Sequence, residues 1–286
     1  MDERFELPAA VATLFPDAAD GVHTDDWLTR QLLAALARVA RGPVLPTVDM
    51  GAFRRDLAGL DFAAPMGVEQ LLSWTIARLE EGTVHMTHPR YFGLFNPAPT
   101  APAQWADRIA GAFNPQLASS GSSPVPVEIE AHVIRALARR AGLPDQTVGH
   151  FTTSGSESNY TALVCALTRA HPRFGDDGVR AFPQGVALYT SAECHPAWSK
   201  IAHQAGVGRS ALRRVATDGT GRLDARALER AVADDIAKGI APVLVAATAG
   251  TTGGGMVDPL RACAGIAAAQ GSWFHVDAAW GGAALS

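Results

Sequence analysis

From residue 148 onward the sequence predicts an α/β fold, a mostly parallel sheet with helices on both faces, and three observations predict it. Short apolar runs at 148–152, 186–190, 212–216, 243–248 and 273–277 alternate with amphipathic stretches at 157–171, 197–205, 225–238 and 260–270. Such βα alternation is the mark of a parallel sheet, because parallel strands need a crossover between them. The runs end in small or polar residues, and ligands in open α/β sheets gather beyond the carboxyl ends of the strands. The last run, in SWFHVDAAWGG at 272–282, is a buried strand that delivers one carboxylate, Asp277, at its tip.

The region before residue 148 reads as helical. Thr24 is placed as an N-cap with Asp25 and Asp26 in the first turn, and Trp27, Leu32, Leu33, Leu36 and Val39 recur at helical spacing up to Arg41 and Gly42. Two prolines in GPVLPTVD break that helix, and a second spans about 68–81, closed by Gly82. HMTHPRYFGLFNPAPTAPAQW, 85–105, is too rich in proline and aromatics for either period and reads as a long loop, either functional or an aromatic packing segment. A third helix starts near Pro126, with Glu128 and Glu130 toward its N-terminus, Arg139 and Arg140 toward its end and Gly142 behind it.

Composition narrows the function classes. The 286 residues are 48% apolar and 18% charged, enough to bury a large core. A net charge of −4 without a one-sign block offers no nucleic-acid groove and no polybasic membrane patch. The N-terminus, MDERFELPAA, lacks a basic region followed by an apolar one, and no apolar run reaches a bilayer span, so the expected location is the cytoplasm. Cys165, Cys194 and Cys263, odd in number and widely spaced, read as buried free thiols in a reducing compartment, with no metal site.

Four stretches carry candidate chemistry. In FTTSGSESNYTALVCAL a strand-like run gives way at once to a helix, so Ser154, Gly155 and Ser156 converge with free backbone N–H groups into an anion cradle; alternatively Ser156 only caps the helix. His195, at a strand-to-helix turn before Pro196, is placed to stack on a flat ligand, or is an ordinary solvated histidine. In VAATAGTTGGGMVDPL small residues let a ligand approach and Thr251 offers a hydroxyl, unless the segment is only a Gly-rich turn. Asp277 invites a cationic partner, or serves as an N-cap for the next segment. A phosphate cradle, a histidine for a ring face and a carboxylate for a protonated ring nitrogen together fit a pyridoxal-phosphate site.

In order, SSPVPVEIE, GHFTTSGSESNYTAL, the His195 turn, ATAGTTGGGMVDP and HVDAAWGG resemble the group II pyridoxal-phosphate-dependent amino-acid decarboxylases, the relatives of aromatic-amino-acid and glutamate decarboxylase. The resemblance implies a fold-type I, aminotransferase-like large domain at 106–286, incomplete, preceded at 1–105 by an N-terminal helical segment and substrate-side loop. It implies pyridoxal 5′-phosphate as cofactor, an L-amino acid as substrate, decarboxylation as the reaction and a homodimer in the full-length form. By resemblance Gly155 and Ser156 hold the phosphate, His195 stacks over the ring, Thr251 sits near it, Asp277 pairs with its nitrogen and Ala279 packs beneath. Leu94, Phe95 and Pro97, in HPRYFGLFNP, line the substrate side.

One departure stands out. The family's Schiff-base lysine lies downstream of the HVDAA strand, and the two lysines here, Lys200 and Lys238, both lie upstream of it and read as solvated. The expectation is therefore a truncated decarboxylase, inactive alone. The alternative is a non-catalytic remnant that binds cofactor or pairs with an intact subunit. A serine hydrolase using Ser154 or Ser156 with His195 lacks the G-x-S-x-G elbow.

Overall fold

In a computed structural model of the chain, residues 18–61, 63–64, 66–93 and 97–285 are described. The chain divides into two compact units that meet in sequence at Gly111 and Ala112.

The first unit is helical: α1 (Ala18–Val39), α2 (Met50–Ala58), α3 (Val68–Gly82) and α4 (Ala101–Phe113), the last running across the unit boundary. Helix α1 begins before Thr24, which lies inside it rather than at its cap. It packs along α3, and Arg38 of α1 grips Glu80 of α3 through two bonds of 2.8 Å. Two helices go beyond the sequence expectation. Helix α2 is nucleated by Asp49, whose carboxylate accepts from Gly51 N and Ala52 N. Helix α4 starts inside the expected loop, where the Thr100 hydroxyl accepts from Ala103 N at 3.3 Å. The loop histidines His85 and His88 serve packing. His88 is buried, its Nδ1 accepting from Arg90 N and its Nε2 donating to Gly42 O, while His85 N donates to Val44 O.

The second unit holds the sheet. After α5 (Pro124–Arg140), α6 (Gly155–Ala170) and the short α7 (Phe174–Asp177) come β1 (Val186–Ser191), α8 (Ala197–Gln204), β2 (Leu212–Val215), α9 (Ala225–Ala237), β3 (Ala241–Thr248), α10 (Leu260–Ala269) and β4 (Trp273–Asp277). All pairings are parallel and the spatial order is β2-β1-β3-β4. The expected strand at 148–152 does not form. Val148 and Phe151 are exposed without a ladder partner among the described residues, and Phe151 N donates instead to the Glu130 carboxylate at 2.7 Å.

Strand alternation divides the core into two layers. Val186, Leu188, Leu244 and Ala246 face α6 and α8, joining Leu163, Leu167, Trp198 and Ile201. Ala187, Tyr189, Val245 and Ala247 face α9 and α10, joining Leu228, Val232, Cys263 and Ala267. Full burial of a leucine or isoleucine in either layer contributes about 2 kcal/mol. Cys194 and Cys263 are buried as expected, but Cys165 is exposed, because it sits on α6 away from the stripe Asn159, Leu163, Ala166, Leu167 that meets the sheet.

The strand order has one functional consequence. The chain passes from β1 to β2 on one side and returns to β3 on the other, so the connections after β1 and β3 leave on opposite faces of adjacent strands. A crevice opens at such a point, beyond the carboxyl ends of the strands.

Candidate active site

Four of the sequence candidates lie at this carboxyl edge. Register aligns the tips: Thr190 pairs with Ala246, and Thr248 with Asp277. The His195 turn follows β1, the Thr251 turn follows β3, and Asp277 closes β4.

The cradle forms at the start of α6. Ser154, not Ser156, is the cap: its carbonyl and hydroxyl both accept from Glu157 N, at 3.0 and 3.3 Å. The Glu157 carboxylate reaches back to Thr153 N and Oγ1, at 2.8 and 2.6 Å, and these bonds hold it below the usual carboxylate range. With the cap satisfied in this way, the Gly155 and Ser156 N–H groups and the Ser156 hydroxyl have no hydrogen-bond partner among the described residues. Helix N-terminal donors of this kind attract anions. Lys200 is exposed, as expected, and lines a cleft with Ser154, Ser156, Glu157, Tyr160 and Gln204. Lys238 lies just past the end of α9, ahead of β3, and so at the opposite edge of the sheet.

Asp277 is half-buried and has no ion-pair partner among the described residues. Its Oδ2 accepts from Asn159 Nδ2 at 2.9 Å and its Oδ1 from Ala279 N at 3.3 Å. Beyond it, Asn159 Oδ1 meets His275 Nε2 at 2.8 Å, and the His275 ring stands edge-on to Trp198 at 5.8 Å. Burial pushes the His275 imidazole below its ordinary value, opposed by the charge of Asp277. Asn159 and His275 are site residues that sequence reasoning missed. The signal was present: Asn159 heads the buried stripe of α6, and His275 shares its strand face with Asp277 by period two.

The remaining candidates are more peripheral. His195 is exposed, and its Nδ1 accepts from Ala197 N at 3.2 Å, which leaves the ring proton on Nε2. Thr251 is buried, its hydroxyl accepting from Met256 N, so it braces its own turn. Ala279 is exposed. Pro97 is an exposed residue of the first unit; Leu94 and Phe95 lie outside the described residues.

A half-buried carboxylate supported only by neutral donors sits at one strand tip, and free N–H groups cap a helix packed on the same sheet. The sequence profile described as the pyridoxal-dependent decarboxylase conserved domain matches residues 59–286. The chain belongs to this family. L-2,4-diaminobutyrate decarboxylase of Rhizobium meliloti (strain 1021) is 38% identical over 198 residues, 69% of this chain and 38% of that protein. Cysteine sulfinic acid decarboxylase of Mus musculus is 37% identical over 203 residues, 71% of this chain and 41% of that protein. Among solved structures, mouse CSAD in apo form superposes with a TM-score of 0.82 at 30% identity, covering 92% of this chain and 56% of that one. Oryza sativa TDC with PLP and tryptamine gives 0.84 at 29%, covering 94% and 57%. The chain thus spans about two fifths of the length of these curated relatives. Its sheet and helices are those of the fold-type I decarboxylases over the part that it covers.

The cofactor of the family is pyridoxal 5′-phosphate, and the donor set fits it. The free donors of α6, with Lys200 beside them, suit a phosphate dianion, and Asp277 suits a protonated ring nitrogen, which supplies the missing counter-charge. Among the described residues no cluster of side chains could hold a metal ion, and no helix is long and apolar enough to cross a membrane.

Proposed function

We propose that the protein is a carboxy-lyase that decarboxylates an L-amino acid, and that these residues form most of its cofactor pocket. The observation that carries this reading is Asp277, a strand-tip carboxylate oriented by neutral groups in a chain of the pyridoxal-dependent decarboxylase family. Bound there, pyridoxal phosphate supplies the electron sink for loss of carbon dioxide. Gly155 and Ser156 hold the phosphate through backbone N–H groups and a hydroxyl, and Lys200 adds a positive charge nearby. Asp277 keeps the ring nitrogen protonated by stabilising the cation. His195 presents its ring at the tip of β1, with Nε2–H free to donate to substrate or cofactor. Thr251 and Ala279 border the ring, the former by holding its turn in place. Residues 106–286 carry the cofactor domain.

Neither Lys200, beside the phosphate cradle, nor Lys238, at the far edge of the sheet, is the lysine that binds the cofactor covalently. We therefore assign turnover to a protein that carries such a lysine and reversible cofactor binding to these residues alone. We also propose a cytoplasmic location and a homodimer, the latter supported by the exposed row Trp105, Ile109, Phe113 on α4.

Equilibrium titration with pyridoxal phosphate tests the pocket. Wild type binds, and Asp277→Asn weakens binding about ten- to hundredfold, as loss of a charge-assisted bond dictates; equal affinities would remove the basis of the reading. Borohydride reduction and peptide mapping test the lysines, and a stoichiometric adduct on Lys200 or Lys238 accompanied by turnover would overturn their assignment.

A further inference from the structure

We propose that Asn159 and His275 are positioning residues: the His275 ring locks the Asn159 amide so that its NH2 group, not its oxygen, faces Asp277, holding that carboxylate toward a protonated ring nitrogen without neutralising it. The role of both residues rests on reading the site as a pyridoxal-phosphate site, and both act through a third residue.

An asparagine side chain can be turned over with little change of shape, exchanging donor for acceptor. Against a carboxylate only one orientation is tolerable, because the other sets oxygen lone pairs against oxygen lone pairs. Asn159 is buried, 5% exposed, so water offers its amide little alternative. His275 Nε2, 2.8 Å from Asn159 Oδ1, settles the matter if it carries the ring proton: Nε2–H donates to Oδ1, and Nδ2–H donates onward to Asp277 Oδ2 at 2.9 Å. A proton on Nδ1 would present a lone pair to Asn159 and favour the turned-over amide. His275 is in turn held by its strand, and its ring stands edge-on to Trp198 of α8.

The supporting chain is polar but uncharged. Burial keeps the His275 imidazole neutral, opposing the pull of Asp277. An arginine or lysine here would hold Asp277 equally well but would satisfy its charge, leaving less attraction for a cationic ring nitrogen. Asn159 and His275 orient the carboxylate while leaving the ligand to supply the counter-charge. The three elements that meet here are α6, β4 and α8, so the packing of the sheet sets the electrostatics of its own tip.

Calorimetry on the full chain tests this with two ligands that need no lysine. One is 4′-deoxypyridoxine 5′-phosphate; the other is its 1-deaza counterpart, in which C–H replaces the ring nitrogen. Wild type prefers the nitrogen-bearing ligand. Asn159→Leu reduces that preference about tenfold while leaving affinity for the deaza ligand unchanged. His275→Phe lowers it as well, and His275→Gln, whose amide can still donate, restores much of it. An unchanged preference in Asn159→Leu, or equal weakening of both ligands, overturns the inference by reducing Asn159 to a bystander or a packing residue. Failure of wild type to bind either ligand overturns the reading of the site itself. Should Asn159→Leu not fold, the nitrogen chemical shifts of His275 in wild type decide: the Nε2–H tautomer is expected, and the Nδ1–H tautomer refutes the lock.

Discussion

Gly281 shows how much of this site depends on single residues with no chemistry of their own. Its N–H donates to Ala249 O at 2.9 Å, and a Cβ at this position would collide with that same carbonyl. Gly250 is similarly constrained, with φ of +99° and a Cβ that would meet the Trp280 ring at 2.6 Å. The two glycines let the segment after Asp277 close on the tip of β3. Gly281→Ala is therefore expected to lower stability by about 2 kcal/mol in denaturant titration, the usual cost of overpacking; a neutral effect would show that the segment can move away freely. The cysteines give a second expectation. Burial pushes the Cys263 thiol up to about 11, with the charge of Asp258 adding to it, and burial likewise raises Cys194. Native alkylation should label Cys165 alone, and mass spectrometry of the labelled peptides checks this.

Elements are joined across the back of the sheet by another buried group. Asp235 of α9 accepts from the Tyr189 hydroxyl of β1 at 3.0 Å and from Arg213 of β2 at 2.8 and 2.9 Å. Burial alone would raise its carboxyl, but the bonds from Arg213 and Tyr189 outweigh that and hold it below the usual range. Arg213→Leu strands a buried carboxylate and should cost about 3 kcal/mol, read as a lower urea midpoint. Asp235→Asn, which keeps an acceptor for both partners, should cost less. A smaller effect in the first variant than in the second would contradict the assigned roles. Asp258 does comparable work nearer the site, accepting from Leu223 N and Thr248 N at 2.8 Å each and so holding the end of β3. At this scale much is readable from sequence. Strands 186–190, 243–248 and 273–277 show in their apolar runs, and each helix between strands shows in its period. The run at 148–152 has the composition of a strand, but composition cannot supply a ladder partner. Helices α2 and α4 escape a sequence reading because their single good caps, Asp49 and Thr100, stand in proline-rich stretches that read as loop.

For the molecule as a whole, His275 links site and stability. Its folded-state value is depressed below the ordinary 6.5, so the unfolded chain takes up a proton at a pH where the folded chain does not. The stability of the neutral ring is complete above about pH 6.5 and is lost as pH falls below it. Wild type should lose more stability than His275→Phe between about pH 6.5 and about pH 5. Parallel slopes in thermal melts would mean that His275 does not remain neutral in the folded state.

The sequence by itself determined that the second half of the chain is a parallel α/β sheet and that Gly155, Ser156, His195, Thr251 and Asp277 lie at strand or helix ends, because hydrophobic period and turn chemistry are local. Only the tertiary structure decided that Ser154, and not Ser156, is the cap, that Lys200 lies beside the cradle, and that Asn159 and His275 stand behind Asp277. The physical reason is distance along the chain. Asn159 and Asp277 are brought within 2.9 Å by the packing of α6 on β4, and no local pattern records a contact made by two elements so far apart.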